Sequence, residues 1–351
     1  MHWTFIILIG WIFLAYFRIA YSMLDALVGV VFIIAIFGCV ILHELGHALT
    51  ARRFNIGTKM ITILPIGGVA SIEKMPEKPR QELWVAIMGP VVNVVIASLL
   101  YLILFATDGI PSVQELIDLQ ENQSSLAVDG YFLFNLMVVN LALVAFNLIP
   151  AFPMDGGRVL RALLSYRMDR TKATNVAARI GQFLAIIFVF AGFYTNFWLV
   201  FIGVFIFLGA GGEANYETTK SLLSDYSVKD VVMTQYTLLS PNDTLNQAAK
   251  VLLDGQEKEF LVSNGESVQG ILTRSNIIKG LSELGKEAPV SRVMRKDFIA
   301  LQPEMKLQEV YQKMLTNDCS VGPVYQGSRL IGVLDRENIN ELLLINKALE
   351  Q

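Results

Sequence analysis

The sequence predicts a polytopic α-helical membrane protein, with a membrane-associated β-hairpin, followed by a soluble α/β tandem domain. Of its 351 residues, 54% are hydrophobic and only 17% are charged. Long apolar runs dominate up to about residue 214, and ordinary globular sequence with an internal repeat follows. The net charge of -3 gives no general affinity for nucleic acid, and two distant cysteines do not form a disulfide framework.

The apolar part contains six candidate membrane spans, since a helix needs about 20 apolar residues to cross a bilayer. They are residues 3–20, 27–50, 82–106, 131–149, 176–194 and 197–211. The first lacks a basic leader and a small-residue cleavage site, so we interpret it as a retained span rather than a signal peptide. The loops after spans two and four are basic, whereas the loop of residues 107–130 contains no Lys or Arg. The positive-inside rule therefore predicts that both termini and the soluble tail lie in the cytoplasm, and we expect the protein in the plasma membrane.

The segment of residues 60–72, MITILPIGGVASI, interrupts the helical pattern. Its β-branched residues and its Pro65 and Gly67-Gly68 breaks predict a strand or hairpin. Two interpretations remain open. The hairpin either covers the neighbouring helices or offers an edge strand on which an extended peptide pairs.

The third span contains Gly89-Pro90 and then Asn93. Proline bends a helix, and small or amide residues suit close contacts between membrane helices. A structural kink and a direct catalytic role both explain these residues.

The second span carries His43-Glu44-Leu45-Gly46-His47. Residues four apart share one helix face, so both imidazoles can bind one Zn²⁺ ion, with Glu44 acting on a metal-bound water. Three ionisable groups within one turn of an apolar helix are expensive without a partner, and a metal is such a partner. Cys39, one turn earlier, is a conceivable ligand, but a buried core residue is favoured.

A catalytic zinc site normally uses three protein ligands and a water. The remaining histidine, His2, stands at the terminus and Cys319 lies in the tail, so the third ligand is expected to be a carboxylate near a span: Asp25, Glu73, Asp155 or Glu213. Asp155 follows two prolines and precedes two glycines in NLIPAFPMDGGR, residues 147–158. It either caps the helix that begins near Gly156 or enters the metal site, and excluding the other ligands favours the metal.

Together these motifs resemble the site-2 protease family of intramembrane metalloproteases (peptidase family M50) over residues 37–161. The resemblance implies one zinc ion per chain, held by His43, His47 and Asp155, with Glu44 as catalytic base. It also implies that Asn147 stabilises the transition state, and that the segments matching the family's central motifs contact substrate: Ile66, Gly67, Gly68 and Asn93. The implied substrates are single-pass membrane proteins, such as anti-sigma factors, which are cut in their transmembrane segments within the lipid bilayer.

The tail follows a linker or juxtamembrane helix at residues 213–227. Residues 228–284 and 290–351 are two copies of one unit, in which Pro241, Gly270 and Asn276 recur at a constant offset as Pro303, Gly332 and Asn338. These copies resemble CBS domains, and such pairs often bind adenine nucleotides through a strand-end Thr and an Asp three residues later. The corresponding pairs here are Thr273 with Asn276 and Asp335 with Asn338, so nucleotide binding is doubtful. A homodimerising or substrate-screening module without ligand is the alternative.

Residues 1–212 are therefore expected to form a zinc-dependent intramembrane endopeptidase that the CBS pair modulates. A CBS-regulated channel would need polar residues spread over several spans, whereas here they gather around the zinc motif. The intact His43-Glu44 and His47 argue against an inactive relative.

Overall fold

The computed structural model describes residues 4–20, 23–64, 67–72, 76–112, 114–115, 131–255, 257–265 and 267–349. The chain divides into two compact units, Met1–Asn215 and Tyr216–Gln351. The first unit contains the apolar helices, and the second contains the internal repeat.

The first unit is mainly helical. Its described helices are α1 (Thr4–Ala20), α2 (Met23–Arg53), α3 (Pro79–Ala106), α4 (Phe132–Asn147), α5 (Asp155–Leu164) and α6 (Arg170–Tyr194). The chain passes into the second unit within a further helix, α7 (Trp198–Leu222). Most of the predicted linker at 213–227 therefore lies in α7.

Among the described residues, four helices are long and apolar enough to cross a membrane: α2, α3, α6 and α7. Helices α1 and α4 have 17 and 16 residues. At 1.5 Å per residue they reach about 25 Å, short of the roughly 30 Å hydrocarbon core. The prediction of several apolar spans is confirmed, and the full set of six stays a prediction.

Two strands interrupt the helices of the first unit. Strands β1 (Thr58–Leu64) and β2 (Gly67–Ile72) pair antiparallel, with Gly67 opposite Leu64 and Gly68 opposite Ile63. Ile66, one of the predicted substrate residues, lies outside the described residues. Helix α2 packs against both strands. That the pair lies at the membrane surface stays a prediction.

Helix α3 is the central element of the first unit, because it packs against α2, α4 and α5. Gly46 of α2 allows a close approach, since a methyl group there would stand 2.7 Å from the carbonyl oxygen of Met88 in α3. Cys39 is buried with Phe32 and Leu136, and its Sγ accepts a hydrogen bond from Asn140 Nδ2 (3.4 Å). Cys39 is thus a core residue, as the sequence favours.

The outer faces of these helices are strongly apolar. No more than a third of the apolar stretch of each long helix is buried, and large side chains such as Phe105, Phe183 and Leu208 point outward. Water-soluble monomers rarely expose contiguous apolar surface of this extent. A lipid environment accounts for it.

The second unit contains the two copies of the repeat. The first copy comprises β3 (Leu238–Leu239), α8 (Leu245–Asp254), β4 (Glu259–Ser263), β5 (Val268–Thr273) and α9 (Arg274–Leu284). The second comprises α10 (Leu307–Thr316), β6 (Val321–Gln326), β7 (Arg329–Asp335) and α11 (Arg336–Leu349). Strand β3 pairs parallel with β4, whereas β4 with β5, and β6 with β7, pair antiparallel.

The two copies share a buried hydrophobic cluster, in addition to the separate cluster that each copy contributes to. Met233, which precedes the first copy's strands, bridges Val333 in β7, and Arg295 of the second copy bridges Ile271 in β5. The buried cluster beneath these bridges comes from both copies: Leu261, Val268, Ile271, Val321 and Val333. This cluster therefore packs the two copies against each other.

Candidate metal centre

Helix α2 places two imidazoles at one point inside the first unit. His43 and His47 are both buried, and their Nε2 atoms lie 3.1 Å apart. The spacing of four residues puts them on one helix face, as the motif predicts.

Asp155 reaches the same point from the far side of a turn, as the first residue of α5. Its Oδ2 lies 3.2 Å from His43 Nε2 and 3.1 Å from His47 Nε2. The turn needs glycine after Asp155, because a methyl group on Gly156 would stand 2.5 Å from the carbonyl oxygen of Leu148. The Asp-Gly sequence thus lets the chain fold back tightly enough for the carboxylate to meet the histidines.

The other ring nitrogen of each histidine is occupied by an acceptor. Nδ1 of His47 donates to the carbonyl oxygen of Val85 (2.7 Å), and Nδ1 of His43 donates to Oδ1 of Asn93 (3.2 Å). These bonds leave an Nε2 lone pair on each neutral imidazole. Two such lone pairs and a carboxylate oxygen then converge, and three acceptors so close together require a shared cation.

The donor set and its dimensions suit zinc. Bonds of about 2.0–2.1 Å to a tetrahedral zinc ion place neighbouring ligand atoms about 3.3–3.4 Å apart, close to the 3.1–3.2 Å between these three atoms. Two imidazoles and one carboxylate leave the fourth position open, as in catalytic zinc sites. Among the described residues, one group of His, Cys, Asp and Glu side chains could hold a metal in this way: His43, His47 and Asp155.

Space beside the ligand atoms is kept by Gly89 of α3. A methyl group at this position would stand 2.7 Å from His43 Nε2, and nearer still to the ring of His47. The Gly89-Pro90 pair was predicted as a kink or a catalytic element. The structure gives Gly89 a steric role at the metal centre.

The remaining predicted site residues lie in different surroundings. Glu44 follows His43 on α2 and is half-buried. Asn147 ends α4, and its Nδ2 donates to the carbonyl oxygen of Leu143 (3.0 Å). Asn93 is fully buried against His43, which supports a positioning role. The predicted catalytic roles of Glu44 and Asn147, and substrate contacts by Asn93, Gly67 and Gly68, stay predictions.

Of the alternative carboxylate ligands, Glu213 has a different partner in the structure. Glu213 Oε1 accepts a hydrogen bond from Arg161 (2.6 Å), and Glu73 lies outside the described residues. The carbonyl of Val85 was missed by sequence reasoning, because a backbone acceptor leaves no residue-type signal. Its position one helical turn before Gly89 is the signal that could have found it.

Comparison with known proteins identifies a peptidase family and a CBS domain pair. The model of peptidase family M50 matches residues 31–188, and the CBS domain model matches residues 228–283 and 290–345. The "Zinc metalloprotease MJ0392" of Methanocaldococcus jannaschii is 31% identical over 326 residues, covering 92% of this chain and 87% of that protein. The "Putative zinc metalloprotease sll0528" of Synechocystis is 28% identical, covering 92% and 85%.

Among solved structures, the site-2 protease from Methanocaldococcus jannaschii is 35% identical. The match covers 59% of this chain and 87% of that chain, with a TM-score of 0.43. The identity to the archaeal zinc metalloprotease extends over nearly the whole length of both chains. This chain belongs to peptidase family M50, the membrane-embedded site-2 proteases, and is a zinc metalloprotease with a CBS domain pair.

Proposed function

We propose that this protein is an intramembrane endopeptidase, which hydrolyses peptide bonds within or near the transmembrane segments of single-pass membrane proteins. The observation that carries the proposal is the meeting of His43, His47 and Asp155 within 3.2 Å, at a buried point among apolar helices. A substrate reaches such a centre through the bilayer rather than from bulk water. Membrane-bound regulators, including anti-sigma factors, are the proposed substrate class.

The proposed chemistry assigns each residue one task. The two imidazoles and Asp155 would hold one zinc ion, which when bound would supply a Lewis acid and lower the pKa of a water to about 7. Glu44 would act as the base, holding on its carboxylate the proton of the attacking water and delivering it to the leaving nitrogen. The side-chain amide of Asn147 donates a hydrogen bond to the oxygen on which negative charge develops.

The substrate must be extended before it is cut, because a helix hides its amides in its own hydrogen bonds. Strands β1 and β2 form a two-stranded sheet, and an edge of such a sheet can bind an unwound segment by backbone pairing. Gly67 and Gly68 in β2 are proposed to let that segment approach closely. The basic loops described above support a cytoplasmic location for this sheet and for the CBS pair.

The CBS pair is proposed to modulate the peptidase. It contains a cleft of about 890 Å³ between the two copies. Among the described residues, five carboxylates and two basic side chains line it: Glu257, Glu259, Asp335, Glu337, Glu341, Lys258 and Arg274. The positions expected to hold a ribose are engaged in helix capping, since Asn276 N donates to Thr273 Oγ1 (3.2 Å) and Asn338 N donates to Asp335 Oδ1 (3.2 Å). An acidic cleft with these caps disfavours a nucleoside polyphosphate.

The direct test is cleavage by the purified full-length protein in detergent or nanodiscs, with a substrate that contains one transmembrane segment. Wild-type protein is expected to cut it, and both a zinc chelator and Glu44→Gln are expected to abolish cutting, while the variant still binds one zinc per chain. Glu283→Gln makes the same chemical change at an exposed ion pair with Lys279 and is expected to retain activity.

Cleavage by Glu44→Gln at the wild-type rate would remove Glu44 as the base. Cleavage that survives complete removal of zinc would refute the proposed function.

A further inference from the structure

Arg161 is the centre of a buried ion network in the first unit. It lies on α5 and is 1% exposed, while its partner Glu82 on α3 is fully buried. Nε and Nη2 of Arg161 lie 2.7 and 2.6 Å from Glu82 Oε1, and Nη1 donates to Glu213 (2.6 Å). Arg170 on α6 donates to the other oxygen of Glu82 (2.7 Å). The guanidinium of Arg161 also lies 5.0 Å from the ring centre of Phe152.

Stability alone does not explain such a network. Taking charges out of water costs free energy, and well-packed apolar side chains of similar volume often stabilise a fold as well or better. What a fork-shaped guanidinium adds is geometry, because it fixes both the distance and the orientation of the carboxylate it binds. The relevant question is therefore which elements this pair fixes.

The pair joins the two elements that complete the metal centre. Arg161 lies six residues after Asp155 in the same ten-residue helix, about 9 Å along its axis. Glu82 lies three residues before Val85, the residue whose carbonyl oxygen accepts the hydrogen bond from His47. One ion pair thus connects the helix of the third ligand to the helix turn that orients the second imidazole.

We infer that Arg161 and Glu82 are positioning residues, which set α5 against α3 and thereby hold Asp155 Oδ2 within 3.2 Å of both imidazole nitrogens. The inference rests on the proposed metal role of Asp155. Arg161 and Glu82 bind each other and their neighbours in the network, so both act on Asp155 through α5 and α3. The ion pair of Arg161 with Glu213 contributes less to this positioning, because the side chain of Glu213 is 34% exposed.

Arg170 provides a matched control. Arg161→Met and Arg170→Met each remove one arginine from the same buried carboxylate, but only Arg161 lies on the helix of Asp155. If the network were merely structural, both variants would lower the unfolding temperature and neither would affect zinc selectively. If Arg161 positions Asp155, zinc affinity separates the two.

The experiment measures zinc affinity by chelator competition, and the unfolding temperature of the metal-free protein, on full-length protein in detergent. Arg161→Met is expected to weaken zinc binding 10–100-fold, the loss typical of removing a partner that orients a ligand. Arg170→Met is expected to stay within about threefold of wild type, on the same scale. The zinc affinity of Arg161→Lys is expected to lie between those of the two Met variants, about tenfold weaker than wild type, because one ammonium cannot reproduce the guanidinium fork. This variant replaces Arg161→Met in the test if Arg161→Met does not fold.

Two results would overturn the inference while leaving the metal centre intact. One is wild-type zinc affinity in the foldable Arg161 variants, and the other is an equal loss in Arg170→Met. Asp155→Ala is the reference variant, since wild-type zinc affinity there would refute the proposed ligand set itself and the positioning role with it.

Discussion

Gly89→Ala is expected to disable the metal centre while leaving the fold intact. The added methyl group would lie 2.7 Å from His43 Nε2 and closer to the ring of His47. Non-bonded heavy atoms rest about 3.5 Å apart, so the ring of His43 has to retreat by about 0.8 Å and that of His47 by more. Metal–ligand distances in working sites stay within about 0.2 Å of their ideal values. The displacement is several times that tolerance.

The two rings have little room to retreat, because each is fixed by a second hydrogen bond. Movement of His47 breaks the bond to Val85 (2.7 Å), and movement of His43 breaks the bond to Asn93 (3.2 Å). The expected loss of zinc affinity is therefore at least the 10–100-fold that follows loss of one orienting partner. Helix stability works in the other direction, since alanine in a helix interior is favoured over glycine by about 0.5–1 kcal/mol.

The assay is zinc content and chelator competition on purified protein, with thermal unfolding measured in parallel. Gly38→Ala is the matched control, because Gly38 lies on α2 near the motif and a methyl group there would meet nothing within 4 Å. Gly38→Ala is expected to bind zinc like wild type. Full zinc affinity in Gly89→Ala would show that α3 can move away from α2 and would refute the steric reasoning.

Two further predictions concern the CBS pair. Titration calorimetry of the full-length protein with ATP is expected to show weak or no binding, because the acidic cleft repels phosphates; micromolar affinity would contradict this, and uncharged adenosine controls for the charge. Burial raises the pKa of Glu259, and the charge of Asp335 adds to that shift. Because the pKa of Glu259 is higher in the folded state than in the unfolded state, its protonated form stabilises the fold at low pH. This contribution to stability is lost as the pH rises through the folded-state pKa. Glu259→Gln is thus expected to raise the unfolding temperature of the CBS pair at pH 7 but not near about pH 3.5, and lower stability at pH 7 would contradict the sign.

Local sequence periodicity was sufficient for much of the architecture. Apolar runs predicted the long helices α2, α3, α6 and α7, because a bilayer imposes length and composition on a single segment. The offset between Gly270 and Gly332 predicted the paired domain. Helical spacing predicted that His43 and His47 share a face, since that relation depends only on residues four apart. The same kind of apolar run predicted membrane spans at α1 and α4. These helices are shorter than the hydrocarbon core, so their crossing of the membrane stays a prediction.

The contacts between segments that are distant in the sequence were decided by tertiary packing. Asp155 stands 108 residues from His47, and elimination of other ligands favoured it without giving a distance. The structure supplies that distance, together with the carbonyl of Val85 and the space beside Gly89. The same holds for Arg161 and Glu82, 79 residues apart.

By itself, then, the sequence determined the helices, the repeat and the pair of imidazoles, because these follow from short-range spacing along one element. Only the tertiary structure decided how α2, α3 and α5 meet, and therefore which carboxylate and which backbone oxygen lie beside the imidazoles and which ion pair joins α3 to α5. The physical reason is that the type of a residue determines only the chemistry of that residue. The partner it finds depends on how helices pack, to within a few tenths of an ångström.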